Sequence, residues 1–320
     1  MFKKLLNSLS LKRFDSKESE IFEGGNLFIP TGATYGGLML AQSIMAAGLT
    51  TSEYRLPNSM HAYYILPGDL SRSTFYEVQR LRDGAAYSHR EVTAFQTDSS
   101  KPIFKNLISF HEGEDTGVEF QTLKMPEAGD PEKLKSMEEI WTPIAEKAKE
   151  KNPWANYYSE NLPFEQKPFS KSLFFGADPE ADLSGKNKLF DSCWVRIKPE
   201  DVSFYSEYTK LFDKEKDKKG AVKIQLLNRA LLAFASDQFG FAPAMRQGGL
   251  SWLVPNSQYA SLDHAMWFYD DNIDLAKWHL FTGISPQSGH GRGLGSSAIF
   301  NQEGKLVATY IQEGLLRADV

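Results

Sequence analysis

The chain carries an internal repeat, and a repeat constrains the fold more than any single motif does. The pair HA at 61–62 matches HA at 264–265, and the run HEG at 111–113 matches QEG at 312–314. Both matches are separated by about 200 residues, and a near-constant offset is typical of a duplicated unit. Each copy predicts a helix, a strand beginning near the HA pair, a glycine-containing turn and a two-stranded hairpin.

The predicted helix of each copy is made of small and apolar residues. The first reads "GGLMLAQSIMAAG" at 36–48, and the second reads "LLNRALLAFASD" at 226–237. In the second helix the large apolar residues recur at helical spacing, and Ala230 and Ala233 form a neighbouring stripe of small side chains. Such a stripe lets a helix lie close to a sheet. One long helix against an antiparallel sheet, present twice, predicts an α+β fold.

The repeat also predicts the domain organisation. The N-terminal half is expected at 1–125, and the C-terminal half, which carries the candidate active site, is expected at 162–320. The segment between them, 126–161, is rich in Pro, Glu and Lys and includes an amphipathic run. We interpret this segment as a linker or insert between the halves.

Composition excludes several functional classes. The 320 residues carry a net charge of −5, whereas a nucleic-acid-binding protein is expected to carry a basic excess. No apolar run approaches the roughly 18 to 20 residues that a membrane-spanning helix needs. The only cysteine, Cys193, excludes an intrachain disulfide framework and a multi-cysteine zinc site. Its apolar-alternating surroundings favour a buried structural thiol.

Three polar residues stand in stretches that otherwise favour burial. Asp237 ends the second helix on its small-residue stripe, where a carboxylate is unfavourable unless donors satisfy it. Ser261 begins the strand "SLDHAMWFY", on the same predicted face as Asp263. Gln312 is the most polar member of an apolar row of alternate residues in the last strand. Each has an ordinary alternative: an exposed helix-end Asp, a serine bonding its own backbone, or an amide bonding the backbone.

Taken together, the three residues define a chemistry. Ser261 and Gln312 supply the donors that Asp237 needs, and the set can hold a water molecule against the carboxylate. A general base, an attacking water and two orienting groups are sufficient for hydrolysis without a covalent intermediate, a metal or an organic cofactor. The matching positions of the first half hold a glycine, an asparagine and a histidine, so we expect one half alone to carry this site.

Two other motifs are weaker candidates. Asp263 and His264 are adjacent, so they point to opposite faces of a strand and cannot easily act on one substrate atom. The run "GHGRGLG" at 289–295 has dinucleotide-like glycine spacing, but it precedes a strand and not a helix. Arg292 and Gly293 in this run are candidate substrate-binding residues, because an arginine there could meet a phosphate. A solvated loop arginine is the alternative.

These stretches resemble the acyl-CoA thioesterase II family, the double-hotdog thioesterases. The resemblance is carried by "MHAYYILPGDL", "LLAFASD", "SLDHAMWF", "GRGLG" and "VATYIQEG", and it covers both halves outside the linker. It implies a double hotdog, in which two antiparallel sheets each wrap around a long helix. It also implies hydrolysis of fatty acyl-CoA to a free fatty acid and CoA by a homo-oligomer. The family's water-activating Asp, Ser and Gln fall by motif on Asp237, Ser261 and Gln312.

The residues alone leave two other functions open. One is a non-catalytic acyl-CoA-binding hotdog protein, for which an apolar residue at position 237 would have been evidence. The other is an enoyl-CoA hydratase-type hotdog enzyme, which needs an Asp and a His converging on one pocket. We expect a cytoplasmic protein, with a peroxisomal one as the alternative, since the residues at 318–320 are not a Ser-Lys-Leu peroxisomal signal. The run "MFKKLLNSLSLKRF" favours an ordinary first helix, and a weak transit peptide is its alternative.

Overall fold

The computed structural model describes residues 1–15, 19–30, 32–52, 54–96, 101–114, 117–148, 153–169, 191–213, 218–250 and 257–318. Positions 319 and 320, on which the expectation about the C-terminal signal partly rests, lie outside them. The chain divides into two compact units. The first consists of Met1–Phe120, Lys198–Ala235 and Ala265–Asp274, and the second of Gln121–Ile197, Ser236–His264 and Leu275–Val320. Each unit gathers distant segments, whereas the ranges predicted from the repeat follow the order of the chain.

In each half the helix, the strand that contains the HA pair and the final two-stranded hairpin occur in the order that the repeat predicts, and the N-terminal run forms the predicted first helix. The helices are α1 (Phe2–Leu9), α2 (Gly36–Gly48), α3 (Met137–Ala148), α4 (Pro153–Glu160), α5 (Pro199–Asp213), α6 (Lys218–Phe239) and α7 (Ala242–Gln247). The strands are β1 (Lys12–Asp15), β2 (Glu20–Gly24), β3 (Leu56–Tyr64), β4 (Thr74–Asp83), β5 (Tyr87–Gln96), β6 (Phe104–His111), β7 (Phe164–Pro168), β8 (Asp191–Ile197), β9 (Gln258–Ser261), β10 (Asp263–Phe268), β11 (His279–Ile284), β12 (Ser288–Gly289), β13 (Arg292–Asn301) and β14 (Leu306–Arg317). None of the described helices is both long and apolar enough to cross a bilayer.

The first unit contains antiparallel strands in the order β1-β2-β4-β5-β6-β3. Alternation decides which side chains lie inside: in β5, Arg90, Val92 and Ala94 are buried, and the residues between them are partly exposed. Helix α2 packs against β3, β4, β5 and β6. It is buried on nearly all sides, which its continuous run of small and apolar residues predicts.

The second unit contains antiparallel strands in the order β14-β13-β11-β8-β7, with β9 paired to β14 and β12 paired to β13. The hairpin predicted near the C-terminus is formed by β13 and β14. Its turn contains Gly304 at a φ of 80°, a conformation that glycine adopts without steric cost. In β14, Ala308, Tyr310 and Gln312 are buried on one face. Helix α7 packs against β8, β11 and β13.

Part of the predicted linker packs on the strands of this second unit. Ala128, with the partly buried Leu134 and the neighbouring Met125, contacts an apolar cluster in and beside β8, β11 and β13. The cluster consists of Trp194, Trp278, Leu280, Ala298 and Phe300. Since side chains alternate along β13, the linker covers the sheet face opposite to Ser297. The face that includes Ser297 and Gln312 is therefore left for the candidate site.

Candidate active site

Asp237 lies near the end of α6, two residues before Phe239. Its side chain is buried, with only 7% exposed. A carboxylate there faces the negative end of the helix macrodipole and has lost most of its hydration, so its charge needs donors. Two donors are present: Ser261 Oγ lies 3.2 Å and Gln312 Nε2 lies 2.9 Å from Asp237 Oδ1.

Ser261 and Gln312 reach this carboxylate from two paired strands. Ser261 ends β9 and pairs with Gly314 of β14, two residues beyond the fully buried Gln312. Gln312 Nε2 also lies 2.7 Å from Ser261 Oγ. One amide hydrogen therefore serves the carboxylate and the other serves the hydroxyl, while the hydroxyl donates its own hydrogen to Asp237. The three residues form a hydrogen-bonded triangle.

Two glycines let the chain after α6 lie directly on Gln312. Gly240 follows the helix, and a methyl group on its Cα would overlap Oε1 of Gln312. Gly295 is the β13 partner of Gln312, and a methyl group there would overlap the carbonyl oxygen of Gly240. A larger side chain at either position would displace Gln312 or the turn after the helix.

His264 contacts the oxygen of the Gln312 amide, the end that does not bond Asp237. The sequence pattern did not predict this contact. It is fully buried, and its Nδ1 lies 2.8 Å from Gln312 Oε1. Its Nε2 lies 3.1 Å from Ser236 Oγ, and the ring of Tyr310 stacks on the imidazole at 5.6 Å between centroids. The alternation in β10 does indicate that His264 is buried and Asp263 is not, but it gives no information on the partner across the sheet.

Burial lowers the pKa of His264 from 6.5 to about 4, so the imidazole is neutral in the folded protein near neutral pH. In the unfolded chain the pKa returns to about 6.5. Between these values the unfolded state binds a proton that the folded state excludes, so stability falls as the pH falls from about 6.5 to about 4. The full loss would be up to about 3 kcal/mol.

We therefore expect a His264→Gln variant, which has no imidazole to titrate, to show a flatter dependence of unfolding free energy on pH. Urea unfolding of the wild type and the variant at about pH 7 and about pH 4.5 measures the difference, because other titrating groups are common to both proteins. Parallel stability curves for the two proteins would contradict the neutral, buried imidazole.

Asp263 does not join the triangle. Its Oδ1 accepts a hydrogen bond from the backbone N–H of Glu313 at 2.8 Å. Burial raises the pKa of this carboxyl, and the nearby Glu313 charge raises it further. Asp263 and His264 point to opposite faces of β10, as the alternation predicts, so they do not form the convergent pair that a hydratase-type site requires.

One expectation from the sequence is wrong: Ser261 does not share a face with Asp263. Strand β9 ends at Ser261 and β10 begins at Asp263, with Leu262 between them. The regular alternation of faces is interrupted at this break. Ser261 therefore contacts Gln312 from the same face as His264. In one continuous strand, two residues three positions apart would point to opposite faces.

Arg292 and Gly293 begin β13. The Arg292 side chain is 48% exposed, and its Nε lies 2.9 Å from Oε1 of Glu313. Gly293 lies close to Ala244 of α7, whose methyl group would overlap any Cβ at position 293. Contact of Arg292 and Gly293 with substrate stays a prediction.

A small cavity, with room for about a single water molecule, lies on the same sheet face as Gln312. Its wall includes Ser297 and Tyr310, which are paired across β13 and β14. Tyr310 precedes Gln312 by two residues, so the cavity lies one row, about 7 Å, from the amide. Phe239 and Phe281, with ring centroids 5.2 Å apart, also line it. Among the described residues, no group bonds the buried Oγ of Ser297.

Comparison with solved structures identifies the class of fold. A protein from Alicyclobacillus acidocaldarius described as having a hot dog fold matches with a TM-score of 0.70 at 15% identity, over 99% of each chain. The tesB protein of Mycobacterium avium subs paratuberculosis matches with a TM-score of 0.69 at 25% identity, over 99% of this chain and 100% of that one. The fold is the hotdog, present twice, as predicted.

Family models match both halves of the chain. The acyl-CoA thioesterase N-terminal domain matches residues 28–111, and the acyl-CoA thioesterase C-terminal domain matches residues 218–316. Acyl-CoA thioesterase 2 of Haemophilus influenzae is 28% identical over 313 residues, which is 98% of each chain. The chain belongs to the acyl-CoA thioesterase II family, and the resemblance carried by the sequence motifs is confirmed.

Proposed function

We propose that this protein hydrolyses fatty acyl-CoA thioesters to a free fatty acid and CoA, with Asp237, Ser261 and Gln312 as its catalytic residues. The observation that carries the assignment is a buried carboxylate whose Oδ1 accepts hydrogen bonds from a hydroxyl and an amide. A carboxylate held in this way is suited to act as a general base. The activity named for the relatives, acyl-CoA thioesterase, supports the same reaction.

The reaction needs one water molecule. Asp237 takes a proton from the water as the water oxygen attacks the thioester carbonyl carbon. This carbon becomes tetrahedral, and the carbonyl oxygen becomes an oxyanion. The oxyanion then collapses, the carbon–sulfur bond breaks, and CoA leaves as a thiolate that receives the proton. Thiolates are good leaving groups because thiol pKa values lie near 8.5. Ser261 and Gln312 hold the carboxylate and orient the water, so neither a metal nor an organic cofactor has a role in the scheme.

The acyl chain is proposed to run from the triangle toward the cavity at Ser297 and Tyr310, and this cavity, with room for about one water molecule, marks the inner end of its path. The three aromatic rings of Phe239, Phe281 and Tyr310 form its apolar lining, with Phe281 and Tyr310 centroids 6.5 Å apart. Phe281 pairs with Ile299, two residues beyond Ser297, so its ring lies one row further from the amide. Phe281 would therefore close the path and limit the length of acyl chain that it accepts.

A Phe281→Leu variant should prefer longer acyl chains than the wild type. Each extra methylene that fits an apolar pocket changes kcat/KM by about tenfold or more, so the ratio of long-chain to short-chain kcat/KM should rise by about tenfold. Phe164→Leu is the matched control, because Phe164 is buried in the same unit and does not line the cavity. An unchanged ratio in Phe281→Leu would contradict the proposed path.

The direct test of the proposed function separates hydrolysis from binding. Purified protein is incubated with acyl-CoAs of several chain lengths while free thiol and bound acyl-CoA are both measured. The background from Cys193 should be small, because that thiol is buried, and an enzyme-only sample corrects for it. Catalytic release of CoA supports the thioesterase, whereas saturable binding without release would support the non-catalytic binding protein.

We further propose that the protein works in the cytoplasm as a homo-oligomer. Family membership supports an oligomer, and so do large apolar side chains left exposed on strands of the first unit: Tyr63 in β3 is 65% exposed and Leu107 in β6 is 45% exposed. Light scattering coupled to size-exclusion chromatography measures the mass of the assembly. A monomer at micromolar concentration would contradict the oligomer.

A further inference from the structure

The amide of Gln312 has two chemically different ends, and only one of them can serve the site. Its NH₂ group donates to Asp237 and Ser261. Turned by half a rotation, the same side chain would place its carbonyl oxygen against the carboxylate, and both donors would be lost. Some group must therefore fix the orientation of the amide if the triangle is to persist.

His264 contacts the other end of this amide. Gln312 Oε1 can only accept, so the His264 Nδ1 at 2.8 Å must carry a hydrogen and donate it. In the neutral imidazole Nε2 is then an acceptor, and the Ser236 hydroxyl at 3.1 Å donates to it. The ring of Tyr310, inclined by only 11° to the imidazole, restricts rotation of the ring.

We propose that His264, backed by Ser236, is a positioning residue that holds the Gln312 amide with its NH₂ group toward Asp237. The hydrogen bonds then run in one direction, from Ser236 to His264, from His264 to Gln312, and from Gln312 to the carboxylate. Each member of this relay is buried, so none can exchange its partner for bulk water. The inference rests on the proposed function, because it concerns how the catalytic triangle is maintained.

The tautomer of His264 can be determined directly in the wild-type protein. Nitrogen-15 NMR of the ring should show His264 protonated at Nδ1 and unprotonated at Nε2 near pH 7. A ring protonated at Nε2 alone could not donate to Gln312 and would overturn the proposal, whatever the variants do.

Kinetics test the effect on catalysis. His264→Leu removes the donor and should lower kcat for acyl-CoA hydrolysis by about 10- to 100-fold with little change in KM, since a misplaced group of this kind costs up to about 100-fold. His264→Asn keeps a donor near the position of Nδ1 and should recover most of kcat. His279→Leu, which also removes a buried histidine of the second unit, is the control expected to keep wild-type kcat. Equal losses in His264→Leu and His264→Asn would overturn the proposal.

A double variant separates positioning from general packing. In a Gln312→Ala background there is no amide to orient, so adding His264→Leu should cost no further activity. A similar additional loss in both backgrounds would show that His264 acts on packing and not through Gln312. If Gln312→Ala alone left kcat unchanged, the catalytic assignment itself would fail, which is a different result from failure of the positioning role.

Discussion

Replacing Asp237 with asparagine should lower kcat for acyl-CoA hydrolysis by about 10²- to 10⁴-fold, the range typical of a lost general base. Asparagine has the same shape, and its amide oxygen can still accept from Ser261 and Gln312, so the site should keep its geometry. The asparagine amide cannot take a proton from water. KM should change little, because Asp237 acts on the water and not on the CoA part of the substrate.

The stability of Asp237→Asn provides a second readout. Removing a buried negative charge from the C-terminal end of α6 relieves both a desolvation cost and an unfavourable helix-dipole interaction. The free energy of unfolding should therefore stay equal or rise while kcat falls, which excludes misfolding as the cause. Asp263→Asn is the matched control, since Asp263 bonds the backbone of Glu313, outside the triangle. Wild-type kcat in Asp237→Asn, or an equal loss in both variants, would contradict the assignment.

The sequence predicts those parts of the site that depend on regular periodicity. Helical spacing gives the buried position of Asp237, and strict alternation in β14 gives the buried face of Gln312. Both side chains lie where unbroken elements place them. The repeat supports these positions because the corresponding elements of the two halves occur in the same order.

Periodicity fails where an element is interrupted. Ser261 and Asp263 are two residues apart and would share a face in a continuous strand, but the break at Leu262 separates their faces. The contact of His264 with Gln312 was missed for a related reason. Burial of a residue can be inferred from its own strand, whereas its partner depends on register with a strand about 50 residues away along the chain. The two compact units likewise depend on contacts between distant parts of the chain, since α6 and β10 each contribute residues to both units.

Replacing Gly240 with alanine should lower both stability and activity, because the space beside Gln312 is already filled. The added methyl group would overlap the Gln312 amide, and this overlap can be relieved only by moving the side chain off Asp237 or by moving the turn after α6. Overpacking of this kind costs about 1–3 kcal/mol of unfolding free energy. Displacement of the amide should lower kcat by at least about tenfold. Gly289→Ala is the matched control, since nothing lies within 4 Å of the Cβ it would add.

A double variant distinguishes overlap with the amide from a backbone effect at Gly240. If the methyl group acts by pushing on the Gln312 amide, Gly240→Ala should cost much less unfolding free energy in a Gln312→Ser background than in the wild type, because the overlaps with Oε1 and Cδ are removed. The kcat of the double variant should stay low, since the donor to Asp237 is gone. A smaller cost of Gly240→Ala in the Gln312→Ser background, without recovery of activity, is the expected result, measured by urea unfolding and thiol release on the two single variants and the double variant. Additive losses of stability would instead place the cost in the turn itself, and Gly240 would then have no direct link to the orientation of the amide.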